Sequence, residues 1–252
     1  MDTTLSDSLY HSVLTGIALG DRRSHSAFKR ARISEDMGNS ALDYLTQTGI
    51  ITREPSREIP AQRDYPAQKL KKEIEKHQIS DKFIFATPFL RFWFAFISPL
   101  FHGIQEGDYE EVKKRFENRE QGLSSLIFEQ LSIELLKQNF QDDPIVESGS
   151  YWDREVEIDI LAKTASGKII VGECKYTNTK VNKSELTRLK EKCEKVGIQA
   201  DIYLLFGKRG FSNELKNLKG AELRLWTLKS FKKLIENLDD KDKIQGFEPP
   251  RY

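Results

Sequence analysis

Two apolar runs around a short polar turn, VEIDILAK and KIIVGECKY, make residues 156–176 the most restrictive part of this chain. Val- and Ile-rich runs separated by a four-residue stretch ending in Gly (T-A-S-G, 164–167) read as a β-hairpin. Strand alternation then puts Val156, Ile158 and Ile160 on one face and Glu157 and Asp159 on the other. In the second strand Glu173 and Lys175 share a face with Ile169 and Val171. A turn centred on Ser166 sets Asp159 directly opposite Glu173, and directly opposed residues have Cβ atoms about 4.5–5.5 Å apart. Two carboxylates that close repel unless something positive sits between them.

A hard cation has reason to want that arrangement. Mg²⁺ binds carboxylate and carbonyl oxygens while keeping several waters, so two acids and a main-chain carbonyl suffice. Lys175, two residues beyond Glu173, points the same way and can reach the water or a phosphate. The plainer reading is a solvated hairpin face with an E-x-K charge pair. Against it, Val171, Gly172 and Cys174 embed these charges in an otherwise apolar strand.

The rest of the chain frames this hairpin. Leu5, Leu9, Val13, Ile17 and Leu19 predict a first helix ending at Gly20, and 24–33 a second. Residues 34–50 predict a third, with Ser34 as N-cap and Gly49 closing it before a strand and wing, the outline of a winged helix over 1–60. Its basic cluster, Arg22, Arg23, Lys29 and Arg30, lies where a helix-turn-helix meets phosphates. Glu35 and Asp36 open the third helix and would repel a DNA backbone, so DNA contact and protein docking both stay open there. Residues 61–82 read as a linker or exposed helix, and 83–252 as the second domain. The aromatic-dense stretch 83–101 is broken by Pro88, Arg91 and Pro99, which excludes a membrane span and points to buried core. Residues 107–140 read as two helices, and strands are expected at 155–162, 168–176, 200–206 and 223–227. Helices are expected at 182–196, 212–219 and 230–238, the first opened by a capping box over Asn182–Glu185. Forty Lys+Arg against 39 Asp+Glu leave no global preference for polyanions. Locally, lysines such as Lys180, Lys183, Lys190, Lys192 and Lys195, with Lys208 and Arg209, outnumber acids around the hairpin. Two cysteines and a start without a signal-peptide pattern lead to the expectation of a reducing, cytoplasmic location.

Asp159 followed by Glu173-Cys174-Lys175 resembles the PD-(D/E)XK nuclease signature. That resemblance implies Asp159 and Glu173 as ligands of Mg²⁺ (or Mn²⁺), with the carbonyl of Cys174 as a further ligand. It implies Lys175 as the group that positions or activates the attacking water, and Glu129 in LIFEQLSIELL as a further acid from the preceding helix. The wider pattern ATPFLRFWFAFISP, EGDYEEVKKRF, YWDREVEIDILA and GECKY resembles the domain of unknown function 234, found after a winged helix at the C-terminus of archaeal-type ATPases. The expected fold is thus α/β: an α-rich N-terminal winged helix, then a restriction-endonuclease-like domain with a small mixed sheet. The expected function is metal-dependent DNA cleavage. The alternative is a non-catalytic module that binds DNA or a partner ATPase. No G-x-x-x-x-G-K-[ST] occurs, so the resemblance implies a stand-alone form or one served by a separate ATPase. A homodimer is a further expectation.

Overall fold

Asp7 accepts hydrogen bonds from the N–H groups of Leu9 and Tyr10 and so caps α1 (Ser8–Leu19), while Leu5 of the expected first helix lies outside the described residues. The structure, a computed structural model, describes residues 7–55, 65, 68–69, 81–153, 155–232 and 234. Its chain divides into two compact units, Met1–Leu123 with Trp152–Glu155, and Ser124–Tyr151 with Val156–Tyr252.

In the first unit, α1, α2 (Ser24–Ala31) and α3 (Glu35–Gln47) follow the expected order. Ser34 caps α3 through the N–H of Met37, and Gly49 follows it at φ +73°. The helices meet closely: a Cβ on Gly16 would lie 2.7 Å from the carbonyl oxygen of Ala27, and one on Gly38 2.3 Å from the ring of Phe28. A two-stranded antiparallel sheet follows, β1 (Ile51–Glu54) against β2 (Lys82–Phe85), with Ile51 opposite Phe85. The expected wing and the linker over 61–82 lie largely outside the described residues.

Beyond β2 the chain winds through α4 (Pro88–Phe92), a π turn (Trp93–Ile97), a 3₁₀ turn (Ser98–Leu100) and α5 (Phe101–Gln105). Phe83, Phe85, Phe94 and Phe96 pack into one core with Val13, Leu14, Ile17, Phe28 and Leu45. The change in composition falls at 82/83, whereas packing keeps residues up to Leu123 with the N-terminal helices. Burial holds for part of the stretch only, since Phe89 and Phe101 are 60% and 41% exposed.

Residues 107–140 form one 30-residue helix, α6 (Glu110–Asn139), rather than the two expected. Gly122 sits in its interior with nothing near its Cβ position, so a glycine there weakens the helix without ending it. The second unit is a five-stranded sheet ordered β3 (Ile145–Trp152), β4 (Glu157–Thr164), β5 (Ile169–Lys175), β6 (Ile202–Gly207), β7 (Leu223–Thr227). Strand β5 pairs antiparallel with β4 and parallel with β6, and β6 parallel with β7, so the sheet is mixed. Strand β3 was not among the expected strands; Val146 on it is 63% exposed and Glu147 is exposed too, which hides any apolar alternation.

Both faces of the sheet are covered, which is why IIVG and IYLLF are apolar almost throughout. Phe128, Leu135 and Leu136 of α6 pack on Ile160, Ile170, Leu204 and Phe206. On the other face Leu186, Leu189 and Cys193 of α7 (Lys183–Lys195) pack with Val171, Leu205 and Ile158. The expected capping box on α7 does not form, because the Asn182 carboxamide oxygen accepts from Ser184 Oγ at 2.6 Å and makes no cap bond. Gly197, at φ +69°, does end the helix. Short α8 (Asn213–Asn217) lies in the expected place, and a 3₁₀ turn (Leu228–Phe231) stands at the start of the expected 230–238 helix.

Candidate active site

The register of β4 and β5 positions the site. Ile160 pairs with Gly172 and Lys163 with Ile169, the alignment of a turn centred on Ser166. Asp143 secures that turn by accepting from the Ser166 N–H and hydroxyl at 2.8 and 2.6 Å. Continued by one residue, the register brings Asp159 level with Glu173.

The strand faces depart from simple alternation at this point. Val156 and Ile158 pack with the α7-side core, whereas Ile160 packs with the α6-side core, so the three do not share a face. The hydrogen bonds supply the reason. Thr164 N–H donates to Lys168 carbonyl at 3.0 Å, which makes the even-numbered pairs the bonded ones. A ladder continued past Ile160–Gly172 would send the Cys174 N–H to the Ile158 carbonyl. Instead the Asp159 carboxylate takes it, Oδ2 at 2.7 Å. The side chain replaces a strand carbonyl, the ladder stops, and Asp159 turns in against β5.

Glu173, 6% exposed, has both oxygens occupied. Lys175 Nζ donates to Oε1 at 2.7 Å and Lys192 Nζ, from α7, to Oε2 at 2.8 Å. Lys175 also lies 3.2 Å from Glu185 Oε2, near the start of α7, and Glu185 in turn holds Arg188 at 2.8 Å. Burial works to lower the Lys175 ammonium, but its bonds to Glu173 and Glu185 prevail and hold it above its ordinary value. Half-buried Asp159 behaves in the opposite way. Burial, then the charges of Glu173 and Glu129, push its carboxyl up to about 7, against the Cys174 N–H bond and Lys192, which pull it down. Glu129, on α6, therefore acts on Asp159 through its charge. Cys174 joins this group through its main chain; its thiol packs into the α6-side core beside Ser132 and is raised well above its usual value by burial.

Among the described residues, no three His, Cys, Asp or Glu side chains already stand close enough together to hold a metal ion. The donors are nonetheless those a hard cation takes: Asp159, Glu173 and Glu129, plus main-chain oxygen. Lys192 offsets only part of what burial, Glu173 and Glu129 do to Asp159, and a divalent ion would add positive charge there. Each oxygen of Glu173 already accepts from one lysine, so an ion seated there would meet an ammonium on either side.

Sequence reasoning placed Lys192 only among flanking basic residues and Glu185 only in a capping box. Their spacing of seven on one helix is the signal that could have paired them, since it puts both on one side of α7. The N-terminal basic residues are set differently. The Arg22 carbonyl accepts from the Phe83 N–H at 2.8 Å, and Arg23 precedes α2 with its N–H bonded to Asp21. Lys29 and Arg30 stand exposed in the last turn of α2, and Arg30 lies along Gly20. The exposed side of α3 carries Glu35, Asp36 and Asp43. Half-buried His11 bonds to Ser98 Oγ, and His102 faces Glu106 at 3.4 Å; His77 lies outside the described residues. No helix among the described residues is long and apolar enough to cross a membrane.

Residues 93–188 match the family model of the domain of unknown function 234, described as archaeal and bacterial proteins of unknown function. The matched span contains Glu129, Asp159, Glu173, Cys174, Lys175 and Glu185 and stops short of Lys192. No curated protein and no solved structure matches the chain.

Proposed function

We propose that the second unit is a metal-dependent nuclease that hydrolyses phosphodiester bonds in DNA, with Mg²⁺ or Mn²⁺ as cofactor and the N-terminal helices as an accessory winged helix. The observation that carries this reading is Asp159: a carboxyl raised to about 7 by burial beside Glu173 and Glu129, with Lys175 and Lys192 at the same cluster. Glu173 and Glu129 both act on Asp159 through their negative charge, and a divalent ion would offset that repulsion. The αβ arrangement supports it, with an acid from the preceding helix and a D…E-C-K hairpin in a mixed sheet.

A divalent ion bound by Asp159, Glu173 and the Cys174 carbonyl would polarise the scissile phosphate and acidify a bound water. The chain's own groups do the rest. Lys175, kept protonated by Glu173 and Glu185, sets its ammonium against the charge that grows on the phosphate oxygens. Glu129 holds the nucleophilic water from the α6 side. Asp159, anchored by the Cys174 N–H, is kept at one geometry for its ligand role.

The test is incubation of the purified chain with linear, nicked and branched DNAs, with and without Mg²⁺ or Mn²⁺. Cleavage should require the metal, and Asp159→Ala should abolish it while DNA affinity persists or improves. Lys175→Ala should lose on the order of 100- to 1,000-fold in rate, the worth of one such electrostatic contact. The filled state of Glu173 favours a second reading, a non-catalytic module that binds DNA or a partner ATPase. Metal-independent DNA binding without cleavage of any substrate, with an ATPase supplied, would decide for that second reading.

A further inference from the structure

Lys192 is unlike the other lysines around the hairpin. Its ammonium is spent on Glu173 Oε2 at 2.8 Å, its side chain is 31% exposed, and it comes from α7 rather than from the hairpin. Lys175 approaches the other oxygen of the same carboxylate, so two cations hold one nearly buried anion. Their tethers differ. Lys175 has a second carboxylate, Glu185 at 3.2 Å, which keeps it in place whatever happens at Glu173. Glu173 is the carboxylate to which Lys192 is bonded, and its four methylenes and partial exposure leave it room to move away. The charges thus alternate in a row, Glu185, Lys175, Glu173, Lys192, with Lys192 at the solvent-facing end.

The Lys192 ammonium at 2.8 Å takes one lone pair of Oε2 in a charge-assisted hydrogen bond and repels a divalent cation approaching the same oxygen. We propose that Lys192 is a positioning residue that competes with the divalent cation for Glu173, keeping that carboxylate oriented in the metal-free protein and vacating Oε2 when metal binds. The inference deepens the nuclease reading and rests on it. It assigns Lys192 a role that Lys175, fixed by Glu185, does not share. Once displaced, the Lys192 ammonium stands beside the metal site with a free charge for a phosphate of the bound strand.

The test measures metal binding without substrate. Mn²⁺ is titrated into the full-length protein at fixed pH, by calorimetry and by the resonance signal of free Mn²⁺. The proteins compared are wild type, Lys192→Met, Lys192→Gln, the neighbouring control Lys190→Met, and Asp159→Ala. Lys192→Met and Lys192→Gln should bind Mn²⁺ more tightly than wild type on the order of 10- to 100-fold, the strength of one hydrogen bond between charged groups. Lys190→Met, whose ammonium lies over the Tyr203 ring, should stay within about twofold of wild type, because screened charges at a distance count for little. Two Lys192 variants guard against one that fails to fold. Wild-type binding that Asp159→Ala removes, together with unchanged or weaker binding in both Lys192 variants, overturns the competition while leaving the metal site intact. Equal gains in Lys192→Met and Lys190→Met overturn it too, by reducing it to general charge. Binding absent in wild type, or untouched by Asp159→Ala, defeats the nuclease reading itself and the competition with it.

Discussion

Asp159→Asn in the metal-free protein should raise stability, and by an amount that depends on pH. In the native chain the Asp159 carboxyl is pushed from 3.8 up to about 7, first by burial and then by Glu173 and Glu129. A raised carboxyl pKa means the folded state holds a proton that the unfolded chain has already released. Below about pH 4 both states are protonated and the group contributes no pH dependence. Between pH 4 and 7 the unfolded state gains by ionising while the native state resists, so stability falls as pH rises through that window. Above 7 the loss is complete and constant. A shift of about three pH units at roughly 1.4 kcal/mol each amounts to roughly 4 kcal/mol. Asparagine has nearly the same shape, is neutral at every pH, and its carbonyl oxygen can still accept the Cys174 N–H.

The Asn variant should therefore match wild type near pH 4 and exceed it by roughly 4 kcal/mol at pH 8, a rise in Tm on the order of 10 °C for a unit of this size. Thermal melts by circular dichroism in EDTA, at half-unit steps from pH 4 to 8.5, measure it directly. Parallel pH profiles for the two proteins, or an Asn variant less stable at pH 8, would refute the placement of Asp159 among like charges. Saturating Mn²⁺ at pH 8 should then raise the Tm of wild type and leave that of the variant nearly unchanged.

Gly38→Ala should destabilise the first unit by about 1–3 kcal/mol, as overpacking does, because its Cβ would sit 2.3 Å from the Phe28 ring in a core position that is 6% exposed; urea unfolding checks this. If the N-terminal unit touches DNA, replacing Arg22, Arg23, Lys29 and Arg30 together with Ala should weaken binding on every sequence and flatten its salt dependence. An unchanged salt slope in a fluorescence titration would assign that face to protein docking. Burial raises both thiols, Cys193 to about 11 and Cys174 well above its usual value, so each should react with an aromatic disulfide at pH 8 far more slowly in the native chain than in denaturant.

What could be read from residues alone follows from how local each cause is. The β4–β5 register needs only two apolar runs and a turn, and Ile160 does pair with Gly172 as a centre at Ser166 requires. Helix ends that depend on one residue, the Ser34 cap and Gly197, were legible for the same reason. Reading failed where a local sign did not decide the outcome. The two helices expected over 107–140 join as one, and Asn182 looks like a cap but is held by its neighbour Ser184. Strand β3 was hidden because its residues alternate little in burial. Ile158 parts from Ile160 because an Asp carboxylate displaced a backbone acceptor, an event that strand periodicity does not describe. The site divides along the same line. The hairpin by itself supplies two carboxylates and one lysine, and these are the groups its spacing displays. Burial and Glu173 weigh most on the Asp159 carboxyl, but the further charges come from elsewhere: Glu129 on α6, and Lys192 and Glu185 on α7, helices packed on opposite faces of the sheet. A motif on one hairpin therefore names candidate groups, whereas packing decides which charges surround them.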